Sequence, residues 1–328
     1  MEPDRVDRKI LLLLSEDCRM SVAQMARRIR ASREVVDYRI RRLLRNGIIK
    51  SFCTDIDLGA LGYTKHVVYL ELKGTSKQKE EEIFRKLKEN KFVSWIVTST
   101  GRWSVIFDIH SRNTEHLSHL VRSLKHELGR HIGEYEIVTL EDYGYFHSKF
   151  FGGEEPRKKA ASPYVPDETD LLLLKLLSKN ARMSCVELAR MVELTPEAVG
   201  KRIRRLREIG IVRRFYIFPD LAKLGFEHYN VQINLENIRN EKEREITAYL
   251  EHHPSVSFLY KPISHWDIEF GVFVRNPGEL RTFMQDLRTH YPENIRIKDI
   301  MLFYEEQTAN FLPEGVFEVP ETENRKPQ

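Results

Sequence analysis

Between Ser32 and Gly47 the chain reads S-R-E-V-V-D-Y-R-I-R-R-L-L-R-N-G, an arginine-rich stretch whose side chains suit nucleic-acid chemistry. An arginine can grip a guanine edge with two hydrogen bonds or neutralise a backbone phosphate. Ser32 can cap an early backbone N–H and Gly47 can take the left-handed turn that ends a helix, so the stretch is bounded as a helix. Val36, Ile40, Leu43 and Leu44 recur at helical spacing as an apolar stripe. The opposite face carries Glu34, Tyr38, Arg41 and Arg45, with Asp37 and Arg42 on its flanks. One such helix alone is usually a solvated basic face.

The stretch is not alone. An offset of 163 carries Arg19-Met20-Ser21 onto Arg182-Met183-Ser184 and Arg39–Leu43 onto Arg202–Leu206. It also carries Gly47-Ile48 onto Gly210-Ile211, Gly62 onto Gly225, Trp103 onto Trp266 and Phe107 onto Phe270. One constant, ungapped offset predicts two diverged copies of a two-domain unit. Ser21 can cap a short helix with Val22, Met25, Ala26 and Ile29 inward, and a tight turn at Arg30–Ser32 leads into the arginine-faced helix. This is helix-turn-helix order, with the third helix as reader and the β-branched run from Ile48 as a wing.

Charge agrees with that reading. The 328 residues carry a net charge of +4, but residues 19–51 hold ten Lys/Arg against two Asp/Glu, and residues 182–214 nine against four. Basic reading elements on an acidic body fit a double-stranded DNA partner. No run of eighteen apolar residues exists, so no membrane span is expected, and Met1-Glu2-Pro3-Asp4 does not read as a signal peptide. Cys18, Cys53 and Cys185 lie far apart without C-x-x-C spacing, which points to a reducing cytoplasm rather than a thiolate zinc site.

From Tyr63 the pattern is strand (His66–Lys73), helix (Ser76–Asn90), strand (Phe92–Thr98), strand (Trp103–His110), helix (Thr114–Leu128) and strand (Tyr135–Leu140). That order is a ferredoxin-like βαββαβ domain whose open sheet face is a natural pairing surface. The expected fold class is α+β: two copies of a winged helix-turn-helix followed by a ferredoxin-like domain. Boundaries are expected at 1–60, 61–148, a linker at 149–165, then 166–223, 224–312 and a disordered tail at 313–328. Phe150-Phe151 are expected to anchor the linker on the first half.

The elements D-x-x-D-x-x-I-L, R-M-S, S-x-x-x-V-x-x-R-I-R-R-L and G-I-I resemble the leucine-responsive/asparagine regulator (Lrp/AsnC) family of transcription factors, and the second copy repeats them from Asp167 to Val212. The resemblance implies a DNA-binding regulator that self-associates through its ferredoxin-like (RAM-type) sheets and senses a small molecule such as an amino acid near the hairpin turn. The expected DNA-binding residues are Ser32, Arg33, Tyr38, Arg41 and Arg42 in the first copy and Thr195, Lys201, Arg204 and Arg205 in the second. Arg39 and Arg202, beside the apolar stripe, are assigned to structure or phosphate contact. Gly200, inside the second reader, weakens that helix relative to Ala.

The family's effector hairpin reads Gly, any residue, an aromatic, then Asp. Gly101-Arg102-Trp103-Ser104 keeps the Gly and Ser264-His265-Trp266-Asp267 keeps the Asp, so the effector candidates Thr100, Gly101, Trp103, Trp266 and Asp267 form two half-motifs or two ordinary turns. His116, His119 and His126 lack a local carboxylate or thiolate to complete a metal set. Glycine-rich phosphate loops, a Ser/His/Asp arrangement and H-E-x-x-H are absent, so neither an enzyme nor a cofactor is expected. The alternative is an enzyme resembling siroheme decarboxylases, which share this architecture and hold tetrapyrrole carboxylates in the second domain. Whether the copies pair within one chain, as a built-in dimer, or between chains stays open at this stage.

Overall fold

A computed structural model of the chain describes residues 3–146, 148–153, 164–237, 239–307 and 312–318. The first copy opens with α1 (Arg5–Glu16), α2 (Val22–Ile29) and α3 (Arg33–Arg45), followed by β1 (Ile49–Ile56). Asp4 and Ser21 each cap their helix reciprocally with the third residue in, and Ser32 accepts from the Val35 N–H at 3.3 Å. Leu44 is a partial exception to the expected stripe: it is 37% exposed, while Val36, Ile40 and Leu43 are buried. Then come β2 (Thr64–Leu72), α4 (Lys77–Glu89), β3 (Val93–Ser99), β4 (Val105–Ser111), α5 (Thr114–Leu128) and β5 (Ile132–Tyr145). The second copy repeats the order as α6 (Glu168–Lys179), α7 (Cys185–Met191), α8 (Pro196–Glu208), β6 (Val212–Pro219), β7 (Glu227–Leu235), α9 (Asn240–His252), β8 (Val256–Ile263), β9 (Ile268–Val274), α10 (Pro277–His290) and β10 (Ile295–Glu306).

The copies pair within the chain. β1 does not fold back as a wing against its own helices; it forms an antiparallel two-stranded sheet with β6, with Cys53 opposite Tyr216. Backbone bonds around it come in reciprocal sets at the sequence offset: Cys18 N–H to Phe215 O (2.9 Å) and Ala181 N–H to Phe52 O (3.0 Å), Asp57 N–H to Ile211 O and Asp220 N–H to Ile48 O (both 2.8 Å). Arg19 donates to the Ala181 and Met183 carbonyls at 2.6 and 2.8 Å, and Arg182 returns a bond to the Cys18 carbonyl at 2.8 Å. Each strand pairs one edge with its counterpart, which covers the edge that a lone copy would leave open.

The ferredoxin-like sheets also join. Their strands run β10-β3-β4-β2-β5-β8-β9-β7 and close into a barrel. Closure is carried by two strands longer than their local periodicity suggested. β5 pairs with β2 through Thr139 and then crosses to β8, ending with Tyr145 opposite Phe258. β10 pairs with β7 through Phe303 and then with β3 to Glu306. Val68, Leu70, Phe107 and Ile109 face α4 and α5 outside the barrel, while the alternate residues Val67, Tyr69 and Ile106 face its interior.

Two expectations are corrected at the joins. Phe151 lies beside Leu12 of α1 as expected, but Phe150 packs against Phe226 of the second copy, ring centroids 4.6 Å apart, because the turn at Lys149–Phe151 sits where the two copies meet. The segment after Leu312 is not featureless: Glu314–Phe317 form a helical turn with Val316 and Phe317 buried, Gly315 N–H bonds the Lys91 carbonyl at 2.8 Å, and Glu314 meets Lys179. Residues 154–163 of the expected linker and 319–328 of the expected tail lie outside the described residues.

Candidate nucleic-acid interface

Each winged half fixes its third helix by an acidic anchor on the first. In the first copy Asp7 is fully buried and accepts from Arg39 at 2.9 Å and Arg42 at 2.5 Å, while Asp4 takes Arg39 at 2.6 Å. The Arg39 guanidinium holds the Asp4 carboxyl down at about 2. In the second copy Arg202 bonds Asp167 at 2.7 Å and Asp170 at 2.8 Å. These anchors account for the D-x-x-D element and for Arg39 and Arg202, which serve the helix packing.

The next arginine differs between copies. Arg42, one of the expected readers, is tied to Asp7 and only 28% exposed, so the structure assigns it to the body of the domain. In the second copy Tyr164 donates its hydroxyl to Asp170 in that place. Arg205 is consequently exposed and lies over the Tyr164 ring, 4.6 Å from its centroid. Sequence reasoning could not separate Arg42 from Arg205, because the residue that decides it precedes the repeat.

The remaining expected positions share the outer faces. Arg33, Tyr38 (57% exposed) and Arg41 (72% exposed side chain) lie outward on α3, with Arg41 pairing to Asp37 one turn back at 2.5 Å. Lys201 and Arg204 are exposed on α8, Lys201 pairing to Glu197 at 2.9 Å. Ser32 and Thr195 are the helix caps, Thr195 accepting from the Ala198 N–H at 3.2 Å. α3 and α8 thus present unlike basic faces from one symmetric β1–β6 unit.

Of the hairpin candidates, the two tryptophans are brought together, packed around one tyrosine. Trp103 and Trp266 flank the Tyr69 ring at 5.9 and 5.5 Å, both buried inside the barrel. Asp267 accepts from the Leu235 N–H at 2.7 Å and Thr100 from the Leu302 N–H at 2.9 Å, so both serve the fold. Gly101 takes the left-handed conformation of the turn, at φ +85°.

The barrel interior holds a polar cluster that sequence reasoning missed. Lys65 pairs with Asp108 at 2.6 Å and bonds the Tyr145 and Tyr260 hydroxyls, the latter at 3.2 Å. Glu269 accepts from Tyr69, from Asn230 at 2.9 Å and from the Trp266 indole at 3.1 Å, and burial pushes its carboxyl up to about 6. Burial draws Lys65 and Asp108 toward their neutral forms while their mutual attraction opposes it. A signal was available: Lys65, Asp108, Asn230 and Glu269 all alternate with the apolar residues that face the outer helices. One mouth of the barrel, beneath β1 and the end of β6, opens into a cavity of about 520 Å³ that reaches Tyr145 and Tyr260. Among the described residues no helix is long and apolar enough to cross a membrane.

Comparison with known proteins places these features. Residues 3–50 match a winged helix-turn-helix DNA-binding family and residues 167–207 the AsnC-type helix-turn-helix domain. The regulator AldR of Mycolicibacterium smegmatis is 31% identical over 119 residues, covering 36% of this chain and 70% of AldR. An HTH-type transcriptional regulator of Pyrococcus horikoshii is 30% identical over 132 residues, covering 39% of this chain and 84% of the relative. Over 95% of its length the chain shares the fold of the siroheme decarboxylase NirDL, solved with an iron-uroporphyrin III analogue, at a TM-score of 0.63, 14% identity and 96% coverage of NirDL. That match overturns the expectation that the chain is not an enzyme: its whole-length architecture is one that also houses catalysis. Its relatives are transcription regulators, and DNA-binding regulation is the activity they support. On the AsnC-type domain and these relatives together, the chain belongs to the Lrp/AsnC family of transcription regulators.

Proposed function

We propose that the chain is a cytoplasmic, sequence-specific transcription regulator that lays α3 and α8 in the major groove of one DNA site. The winged halves, near residues 1–60 and 166–223, supply the contacts; the ferredoxin-like halves pair with each other and take a small-molecule effector. The observation that carries this reading is the division of labour along each third helix. Arg39 and Arg202 anchor the helix to its domain, while Arg41 and Arg204 stand in solvent with Tyr38 and Lys201 beside them. Side chains of this kind, on two helices fixed by one β1–β6 sheet, suit guanine edges and phosphates on an imperfect palindrome. Footprinting on the gene's own upstream region tests it. A protected site whose affinity falls steeply with salt supports the reading; no protection at low salt refutes it.

A second reading, decarboxylation of a carboxylated tetrapyrrole, is favoured by the shared fold with NirDL and by the buried Lys65, Asp108 and Glu269 behind the cavity floor. The cavity lining sets it second. Lys50 stands there against Asp220, Glu227, Glu305 and Glu306, a poor match for a ligand with many carboxylates. A coloured complex on adding siroheme, followed by loss of a carboxylate from the macrocycle, would establish it.

A further inference from the structure

The cavity beneath the wing strands has a composition that selects a ligand class. Its walls include Trp95, Phe218, Phe258 and Phe303, rings from the wing sheet and from three barrel strands. Its floor is the pair Tyr145 and Tyr260, hydrogen-bonded to each other at 3.0 Å. An aromatic box of about 520 Å³ is of the size that encloses a drug-sized molecule. The lining itself carries four carboxylates and one ammonium, with Lys223 reaching Asp220 at 3.8 Å from outside it and Lys65 behind the floor matched by Asp108.

That one ammonium shows what the site accepts. Lys50 reaches in from β1 with its Nζ 3.4 Å from Glu306, 3.9 Å from Asp220 and 5.5 Å from the centre of the Phe218 ring. Glu306 is held in place by the Trp95 indole N–H at 3.2 Å. A cation between two carboxylates and over a ring face is a cation–π site, here filled by the protein's own side chain. Because β1 follows α3 directly, the Lys50–Glu306 pair also joins a reader domain to the barrel.

We propose that this cavity binds an organic ammonium with a flat aromatic body, whose charged group replaces Lys50 at Glu306. A free amino acid is disfavoured, because its carboxylate would enter among Asp220, Glu227 and Glu305. Displacing Lys50 removes one tie between β1 and the barrel, leaving that of Arg214 to Asp55 and the Tyr145 carbonyl, so occupancy alters the placement of α3. This regulatory consequence rests on the DNA-binding reading above; capture of the ligand by the free chain does not.

The test uses two dansyl probes of opposite charge on the full chain without DNA. N-dansylcadaverine, an ammonium, binds saturably at one site per chain with a rise in dansyl fluorescence, and dansylglycine, a carboxylate, binds about tenfold or more weakly. Glu306→Gln, which keeps the acceptor for Trp95, reduces that preference, whereas Lys50→Met, which removes the competing ammonium, tightens dansylcadaverine. Ala222→Trp fills the exposed edge of the cavity and abolishes binding. Equal binding of both probes, indifference to Glu306→Gln and Lys50→Met, or binding undiminished by Ala222→Trp overturns the site. Addition of dansylcadaverine to the protein–DNA complex is expected to change DNA affinity; tight probe capture with unchanged affinity overturns the regulatory part while the site stands.

Discussion

Arg41 and Arg42 are neighbours in sequence with opposite expected roles, and truncating each to alanine separates reading from folding. Arg42 is one of two guanidiniums on the fully buried Asp7, at 2.5 Å, with Arg39 at 2.9 Å as the other. Removing one partner of a buried pair costs roughly 3–5 kcal/mol when it leaves the charge alone. Arg39 remains and Arg42 is 28% exposed, so the loss for Arg42→Ala falls to about 2 kcal/mol, near that of one charged hydrogen bond. Arg41 pairs with Asp37 in solvent, and exposed pairs are worth about 0–1 kcal/mol, so Arg41→Ala leaves stability nearly unchanged. On DNA the order reverses. Loss of a bidentate base contact costs Arg41→Ala about 1–3 kcal/mol, some five- to 150-fold in affinity, and relaxes one base position. Urea unfolding gives the first quantity, and fluorescence anisotropy on the operator and its single-base variants gives the second. An Arg42→Ala protein as stable as the parent would refute the anchor assignment. Uniform weakening of Arg41→Ala across all sequences would demote that side chain to a phosphate contact.

Three further outcomes follow from the packing. Arg19→Ala removes two bonds to the Ala181 and Met183 carbonyls, so thermal unfolding should show a destabilisation of about 1–3 kcal/mol through loosened pairing of the winged halves. At Gly200 an added Cβ would meet only Cys185 Sγ at 4.0 Å, so Gly200→Ala should stabilise the chain by about 0.5–1 kcal/mol in urea titrations. His66 is buried and His228 half-buried, and desolvation lowers them to about 4 and about 3, so both stay neutral. The unfolded chain takes up those protons first, near pH ~6.5, so stability should fall as pH drops from there toward 4; His66→Gln should flatten part of that slope in urea midpoints measured across the range.

Local elements were legible because their signals are local. Ser21 and Ser32 mark helix starts as caps, and the period of Leu117, Val121, Leu124 and Leu128 marks α5, whose buried residues are Leu120, Leu124 and Leu128. The offset between copies announced a duplication, and the open sheet faces announced pairing. What stayed hidden depends on contacts between the copies. Asp142 and Gly144 break the alternation of β5, so nothing near them signals that the strand continues to Tyr145, opposite Phe258 of the second copy. Asp7 looks like an acid at a helix start, and only the approach of Arg39 and Arg42 makes it a buried anchor. Trp103 and Trp266 carry half-motifs of a ligand turn, yet in a closed barrel their rings fill the space around Tyr69. The cavity beneath β1 draws on eight strands of both copies and could not be assembled from either alone.

The central claim is that one chain carries both readers as a built-in pair. Its most direct test is analytical ultracentrifugation of the full chain with a duplex from its own upstream region, repeated over a series of salt concentrations. The account predicts a complex of one chain per binding site whose association constant falls linearly with salt on logarithmic axes. Absence of any complex in dilute buffer, or a complex that forms only when two or more chains assemble on each site, would contradict it.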